Sequence, residues 1–224
     1  MNSIEKLNVF NRSVLLRRSV KPNNPKDTLI LLHGYGADEY DLMGLAPYFD
    51  SDFQVLSIRG PGSTGFGGAS WFDIEMKSNG DLRFDFEQAR ESALGVLKII
   101  SELQATGLIT NQKIILGGFS QGATIANLVT LFKPEILKAL LIMSGRLADE
   151  LGDLITGSEK FKDLPVFAGH GTFDNVIPIE FGRKIVLFWS KLPVLLEHHE
   201  YAMGHEISQD ELGHIQHWLT KING

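Results

Sequence analysis

The chain has no cysteine among its 224 residues. Without thiols it cannot contain disulfide bonds, thiolate metal sites or a cysteine nucleophile. Long apolar runs are absent too, since no stretch approaches the roughly 20 apolar residues of a membrane-spanning helix. Positive charge is scarce: 21 Lys and Arg against 27 Asp and Glu give a net charge of −6. We therefore expect no nucleic-acid partner, because nucleic acid and acidic membranes favour a basic surface. We expect no integral membrane association, because the sequence has no apolar run long enough to span a membrane.

The first residues lack the 7–15-residue apolar core and small-residue cleavage site of a signal peptide, so a cytoplasmic location is expected. Hydrophobic residues make up 43% and charged residues 21% of the chain, which is ordinary for globular proteins. The sequence has no internal repeat and no linker. One domain spanning residues 1–224 is predicted.

Short apolar segments alternate with amphipathic ones along the chain, and several apolar segments are continuous rather than alternating. That pattern predicts an α/β fold, in which a mostly parallel sheet is covered by helices on both faces and the first strand pairs antiparallel at the edge. The predicted strands are Ser13–Val20, Thr28–His33, Phe53–Ile58, Lys113–Leu116, Ala139–Met143, Pro165–Gly169 and Val194–Tyr201. The predicted helices are Tyr40–Tyr48, Phe84–Thr106, Gln121–Phe132, Ile179–Lys191 and Gln209–Lys221.

The segment from Arg59 to Trp71 interrupts this alternation, because five of its thirteen residues are glycine. We predict a long irregular loop after the third strand. Ligands of such sheets bind beyond the carboxyl ends of the strands. The segment is therefore either an ordinary surface loop or a rim of the binding site with Trp71 and Phe72 as wall residues.

The motif Gly118-Phe119-Ser120-Gln121-Gly122 joins an apolar strand directly to a helix. G-x-S-x-G in that context is typical of a sharp turn that exposes a nucleophilic serine. The residues two before and two after the serine must be small, because larger side chains would collide in the turn. We therefore predict Ser120 as a nucleophile, rather than as an ordinary helix N-cap.

A serine nucleophile needs a base that is itself oriented by an acid, and here the acid and base should follow the serine in that order. Asp174 lies after the strand Pro165–Gly169, and His205 lies between a strand and the last helix. Both are in post-strand loops, so we predict Asp174 as the acid and His205 as the base. Asp149, Asp153 and Asp163 are the alternative acids.

The other six histidines fit the role of base less well. His33 and His170 each precede a glycine at the end of a strand, where we expect local hydrogen bonds near the site. His198 and His199 lie within a strand, and His214 and His217 lie on the final helix. No carboxylate stands at metal-ligand spacing from these histidines, so neither a metal nor a cofactor is predicted.

Charge that develops on a carbonyl oxygen is best stabilised by two backbone N–H groups. One should come from Gln121, directly after the nucleophile. The other should come from the loop after an early strand, where Tyr35 stands between Gly34 and Gly36. A dinucleotide fingerprint is the alternative interpretation of this loop, but Glu39 stands where the third glycine is required.

Taken together, these motifs resemble the phospholipase/carboxylesterase family of α/β-hydrolases. The resemblance rests on LLHGYGADEYDL, WFDI, GFSQGA, HGTFDNVIP and MGHEIS, and reaches from about Thr28 to Leu219. It implies an α/β-hydrolase fold without a large lid domain, the triad Ser120, Asp174 and His205, oxyanion donors at Tyr35 and Gln121, and an acyl pocket near Trp71. Homodimer formation is a further possibility. The residues expected to contact the substrate are Trp71, Phe72, Phe119, Val176 and Met203.

The function expected on this basis is hydrolysis of small-molecule carboxylic esters with small to medium acyl groups. Tyr35 replaces a leucine that is common in the family, which predicts either a narrower mouth or an added hydroxyl group. The alternatives are a lysophospholipase or acyl-protein thioesterase for long acyl chains, a peptidase, and a binding module that has lost catalysis. The sequence alone does not decide among acyl lengths.

Overall fold

An eight-stranded sheet forms the centre of the protein, as a computed structural model of residues 3–76, 82–148 and 157–223 shows. The strands are β1 Ile4–Val9, β2 Arg12–Arg17, β3 Asp27–Leu32, β4 Phe53–Ile58, β5 Ile114–Phe119, β6 Leu137–Met143, β7 Pro165–Gly171 and β8 Leu195–Tyr201. The strand order is β1-β2-β4-β3-β5-β6-β7-β8. From β4 to β8 all neighbours are parallel, whereas β2 is antiparallel to both β1 and β4.

Helices cover both faces of this sheet. The helices are α1 Glu39–Met43, α2 Phe86–Ala105, α3 Gln121–Phe132, α4 Ile179–Trp189 and α5 Gln209–Lys221. One face packs against α2, α3 and α4, and the other packs against α1 and α5. Strands β3 and β4 are buried along their whole length, because each of their faces meets a helical layer.

The predicted α/β architecture is confirmed, with corrections at its edge. The strand predicted from Ser13 is antiparallel to its neighbours, but it is the second strand and not the edge strand. The edge strand is Ile4–Val9, which the sequence reasoning missed. Its residues alternate between exposed and half-buried and include Glu5 and Lys6, so its apolar signal is weak.

Short elements fill the connections between the main strands. The glycine-rich segment is not wholly irregular, because Gly62–Ser63 pairs antiparallel with Ala69–Ser70. Ile74–Met76 pairs likewise with Leu82–Phe84. Short 3₁₀ helices occupy Ala46–Tyr48, Gly65–Gly67, Pro134–Ile136 and Ser158–Phe161. Among the helices of the described ranges, none has the length and apolar character to cross a membrane.

Candidate active site

Ser120 lies at the sharp turn between β5 and α3. Its backbone has φ 54° and ψ −116°, a left-handed conformation that costs an L-residue on the order of 1–3 kcal/mol. The turn is fixed by a hydrogen bond of 3.0 Å from the Ser120 N–H to the Met143 carbonyl. The side chain therefore stands at the carboxyl end of the sheet, with its residue 8% exposed.

The two glycines of the motif are required by close backbone contacts. A Cβ at Gly122 would lie 2.0 Å from the carbonyl oxygen of Leu32, and a Cβ at Gly118 would lie 2.2 Å from that of Gly122. Backbone carbonyl oxygens in a packed strand and helix cannot yield by this much. The packing therefore explains why the positions two residues before and two residues after Ser120 must lack a side chain.

His205 lies between the other two predicted triad residues. Its Nε2 is 2.9 Å from the Ser120 hydroxyl oxygen, and its Nδ1 is 2.7 Å from Oδ2 of Asp174. Since a carboxylate only accepts hydrogen bonds, Nδ1 carries the proton and donates it to Asp174. Nε2 is then an acceptor for the serine hydroxyl proton.

Asp174 is held by its own loop. Its side chain is fully buried, and Oδ1 accepts hydrogen bonds from the N–H groups of Val176 at 2.9 Å and Ile177 at 2.7 Å. The acid loop also packs tightly on the histidine loop, because a Cβ at Gly171 would lie 2.3 Å from the carbonyl oxygen of Gly204. Both contacts fix the carboxylate toward His205. The alternative acid Asp163 is exposed, and Asp149 and Asp153 lie outside the described residues.

Two of the remaining histidines make the local hydrogen bonds expected at strand ends. His33 is buried, and its Nδ1 donates to the Gly34 carbonyl while its Nε2 accepts from the Gly60 N–H at 2.9 Å. Burial lowers the pKa of His33, which favours this neutral form. The Nε2 of His170 contacts the Ile177 carbonyl at 2.8 Å and lies 3.5 Å from Asp174 Oδ2.

The other histidines lie away from the serine. His198 and His217 are exposed. The rings of His199 and His214 stack with centroids 4.4 Å apart, and Nδ1 of His214 is 3.1 Å from the Tyr201 hydroxyl. In the parts of the chain that the structure describes, no group of three or more His, Cys, Asp or Glu side chains is arranged to hold a metal ion.

The segments that carry the two predicted oxyanion donors both approach Ser120. Gln121 is the first residue of α3, so its N–H has no acceptor within the helix. On the other side, the loop that carries Tyr35 approaches closely, because a Cβ at Gly34 would lie 3.4 Å from the Cβ of Ser120. The loop after β3 and the start of α3 therefore both lie next to the nucleophile that the sequence predicts.

The predicted wall residues Trp71 and Phe72 are buried rather than open to solvent, with 1% and 4% of their surface exposed. The Trp71 indole N–H donates to the His33 carbonyl at 2.9 Å. Their backbone groups bind the side chain of Gln121. In this arrangement the two residues support the loops around Ser120 and offer little side-chain surface to a substrate.

The other residues expected to contact the substrate are placed differently. The ring of Phe119 lies 4.8 Å from that of His205, and Met203 is buried in the loop before His205. Val176 is exposed, as are Tyr35 and Phe173. The accessible apolar surface near the triad therefore comes from the loops after β3 and β7.

Sequence reasoning missed several buried carboxylates, and two of these are Glu39 and Glu211. Glu39, at the start of α1, is 2.8 Å from Arg59 and 3.2 Å from Lys6. Its burial acts to raise its pKa, but hydrogen bonds, led by that from Arg59, outweigh this and lower the pKa to about 2. Arg59 also donates to the Gly67 carbonyl at 2.6 Å, so this ion pair ties the glycine-rich segment to α1.

The second of these is Glu211 on α5, whose two carboxylate oxygens have no hydrogen-bond partner among the described residues. Burial raises its pKa to about 8. The Glu211 side chain packs against Gly169, where a Cβ would lie only 2.1 Å from Oε1 of Glu211. Nothing in the spacing of the sequence distinguishes Glu211 from a solvent-exposed residue of the helix.

Comparison with known proteins adds to this geometry. Residues 19–223 match the family described as Phospholipase/Carboxylesterase. The chain belongs to the phospholipase/carboxylesterase family. The resemblance seen in the sequence motifs is thereby confirmed, and the fold is that of an α/β-hydrolase without a large lid domain.

Relatives of this family member include both thioesterases and esterases. Acyl-protein thioesterase 1 of Kluyveromyces lactis is 30% identical over 221 residues, which cover 92% of this chain and 96% of the relative. The solved carboxylesterase of Bacillus cereus superposes with a TM-score of 0.79 at 21% identity, covering 94% of both chains. The solved esterase PE8 has a TM-score of 0.72 at 27% identity, covering 92% of this chain and 97% of the other.

Proposed function

We propose that this protein is a serine carboxylesterase that cleaves carboxylic esters through an acyl-enzyme intermediate. The observation that carries the proposal is the position of His205, 2.9 Å from the Ser120 hydroxyl and 2.7 Å from the buried Asp174. These distances lie within the hydrogen-bond range that nucleophile activation requires. Membership of a hydrolase family supports the same conclusion.

The first half of the reaction follows from this geometry. Nε2 of His205 takes the hydroxyl proton as Oγ of Ser120 bonds to the ester carbonyl carbon, and the carbonyl oxygen becomes an oxyanion. The backbone N–H groups of Tyr35 and Gln121 donate hydrogen bonds to it. The imidazolium then gives its proton to the alcohol oxygen as the carbon–oxygen bond breaks, which releases the alcohol and leaves an acyl-serine.

Water completes the cycle by the same steps in reverse. His205 takes a proton from water as its oxygen bonds to the acyl carbon, and a second oxyanion forms between the same N–H donors. Collapse of that intermediate breaks the bond to Oγ of Ser120, which regains its proton from His205. The carboxylic acid leaves. Asp174 remains ionised throughout, because its role is to hold the imidazole and stabilise the imidazolium.

The substrates proposed are esters with small to medium acyl groups. The 27% identity to a solved esterase supports an ester substrate. A long-chain thioesterase is the second candidate. It is supported by the 30% identity to an acyl-protein thioesterase and by the exposed apolar side chains of Tyr35, Phe173 and Val176, which could contact a long chain.

Acyl-chain profiling separates the two candidates. We would measure kcat/KM for p-nitrophenyl esters from C4 to C16 and for the matching thioesters. A carboxylesterase of the proposed kind gives a maximum at or below about C8, whereas rising activity up to C16 with preference for thioesters would support the second candidate. Ser120→Ala should lower kcat at least ~10³-fold on every substrate, as removal of a serine nucleophile does elsewhere.

A binding module without catalysis is tested by a fluorophosphonate probe, which labels activated serines. We expect labelling of Ser120 that is lost when His205 is replaced by alanine. Failure to label the wild-type protein would favour the binding module instead. The cytoplasmic location and the homodimer remain predictions.

A further inference from the structure

The two oxyanion donors lie on different parts of the chain, and this inference rests on the function proposed for them. Tyr35 follows β3 and Gln121 begins α3, so nothing local in the sequence sets the distance between their N–H groups. That distance matters, because misplacing an aligned group by about 1 Å can cost ~10²-fold in rate. Any contact that joins the two segments therefore bears on the geometry of the oxyanion hole.

The first contact is made by the side chain of Gln121. Its Oε1 accepts a hydrogen bond of 2.7 Å from the Trp71 N–H, and its Nε2 donates one of 2.6 Å to the Phe72 carbonyl. The Gln121 residue is 4% exposed, so water cannot readily replace these partners. An amide side chain can accept and donate at once in this way. Residue 121 is thus fixed at both its backbone and its side chain.

The second contact joins the same stretch of chain to the loop of Tyr35. Ala69 makes two backbone hydrogen bonds there: its carbonyl accepts from the Gly36 N–H at 2.9 Å, and its N–H donates to the Ala37 carbonyl at 2.8 Å. Gly68 packs so closely that a Cβ would lie 2.2 Å from the carbonyl oxygen of Gly36. The segment therefore lies against the residue that follows Tyr35.

We propose that residues 68–72 form a strap that sets the spacing of the oxyanion hole, and that the Gln121 side chain is a positioning residue that anchors its end. At one end of the strap, Ala69 is hydrogen-bonded to Gly36 and Ala37. At the other end, the backbones of Trp71 and Phe72 are hydrogen-bonded to the side-chain amide of Gln121. It gives the glycine-rich segment a function, since only glycine at position 68 allows the strap to lie so close. The residue after the nucleophile thus contributes through its side chain as well as through its N–H.

The first test replaces Gln121 by methionine, which keeps the length of the side chain and removes both hydrogen bonds. We expect kcat for a p-nitrophenyl ester to fall roughly 10- to 100-fold, as displacement or loss of an oxyanion donor does. We expect KM to change less than about 3-fold, because the donors act mainly on the developing oxyanion. Unchanged kcat, or a fall in activity that appears only in KM, would overturn the proposal.

The matched control is Gln54→Met. Gln54 is also a buried glutamine, 1% exposed, whose amide donates to the Leu108 carbonyl at 2.9 Å, but it lies in β4 outside the site. Both variants lose a buried amide, so both lose stability. Only the Gln121 variant should have a lower kcat than the wild type. Equal effects of the two substitutions on kcat would count against a positioning role.

An inhibitor that forms a tetrahedral adduct provides a second test, because a change in folding stability alone does not alter its inhibition constant. With a trifluoromethyl ketone, Oγ of Ser120 bonds to the ketone carbon, its proton passes to His205 and the ketone oxygen becomes an oxyanion. Its inhibition constant should rise by about the same factor as kcat falls in Gln121→Met. An inhibition constant equal to that of the wild type would contradict the strap.

A second variant covers the case in which Gln121→Met does not fold. In Gln121→Glu the neutral carboxyl group can accept from Trp71 and donate to Phe72, whereas the carboxylate would face a carbonyl oxygen. The ratio of its kcat to that of the wild type should therefore increase as pH falls. A ratio that stays constant with pH would show that the amide contacts do not matter.

The strap itself is tested by Gly68→Ala, with Gly65→Ala as its control. An added Cβ at Gly68 pushes on Gly36, whereas one at Gly65 meets nothing within 4 Å. We expect a fall in kcat of at least 10-fold for the first and none for the second. If these variants keep full activity while Ser120→Ala is inactive, the strap is wrong and the proposed function stands. If Ser120→Ala is active, the proposed function itself fails.

Discussion

Replacing Asp174 by asparagine should invert the hydrogen bonds of the triad. The two N–H groups of Val176 and Ile177 that bind Oδ1 will select the amide oxygen of the asparagine, because an NH₂ group there would face two donors. The NH₂ group must then occupy the position of Oδ2, 2.7 Å from Nδ1 of His205. Nδ1 becomes the acceptor, and the imidazole proton moves to Nε2.

The size of the effect follows from this change of tautomer. A protonated Nε2 cannot accept the hydroxyl proton of Ser120, so the base is lost while the geometry is kept. In serine proteases the same substitution lowers kcat by ~10⁴, which corresponds to about 5.5 kcal/mol of activation free energy. We expect a loss of 10³- to 10⁴-fold here, since Oδ1 of Asp174 is held by two backbone donors.

Steady-state hydrolysis of p-nitrophenyl butyrate, with thermal unfolding measured in parallel, provides the assay. Asp163→Asn is the control, because Asp163 is exposed and has a left-handed φ of 59° that asparagine tolerates. It should keep full activity. A loss of less than about 10-fold in Asp174→Asn, in a folded protein, would refute the tautomer argument, since 10-fold is only about 1.4 kcal/mol.

Two further predictions concern stability. Gly122→Ala should lower the free energy of unfolding by about 1–3 kcal/mol, because its Cβ would strike the Leu32 carbonyl. Gly213→Ala, in the interior of α5 with open space around it, should raise it by roughly 0.5–1 kcal/mol; urea titrations giving both substitutions the same sign would contradict the packing argument. Glu211→Gln should remove a pH-dependent loss of stability. The folded-state pKa of about 8 lies above the ordinary value of 4.5, so wild-type stability should fall relative to the variant as pH rises from 4.5 to 8, by at most on the order of 4 kcal/mol. Parallel urea titrations at pH 5 and pH 8 that give the same difference would refute this.

Much of the sheet could be predicted because the parallel strands are continuously apolar. The helices Gln121–Phe132 and Gln209–Lys221 have the predicted bounds, since the first begins at the turn after Ser120 and the second begins after the N-cap Ser208. Strand β5 runs to Phe119 rather than ending at Leu116, as Gly117 and Gly118 pass between β3 and β6. Composition alone cannot show that glycines there belong to a strand.

The triad could be predicted because its loops follow strand ends in a fixed chain order. The contacts among the supporting loops could not, as the hydrogen bonds of Gln121 with Trp71 and of Ala69 with Gly36 join residues whose closeness depends on the complete fold. The same is true of the buried Glu39 and Glu211. Their charge favours an exposed position in any sequence pattern, and only the packed structure shows them enclosed.

Trapping the acyl-enzyme tests the central claim most directly. The protein is mixed with a p-nitrophenyl ester, and the reaction is quenched with acid within the first turnover. The protein is then digested, and the masses of the peptides are measured by mass spectrometry. We expect one acyl group on the peptide that contains Ser120, none in Ser120→Ala, and normal labelling in Ser144→Ala, whose serine also has a positive φ after a strand. Turnover of the ester with no acyl group on Ser120, or with the label on another residue, would contradict the account.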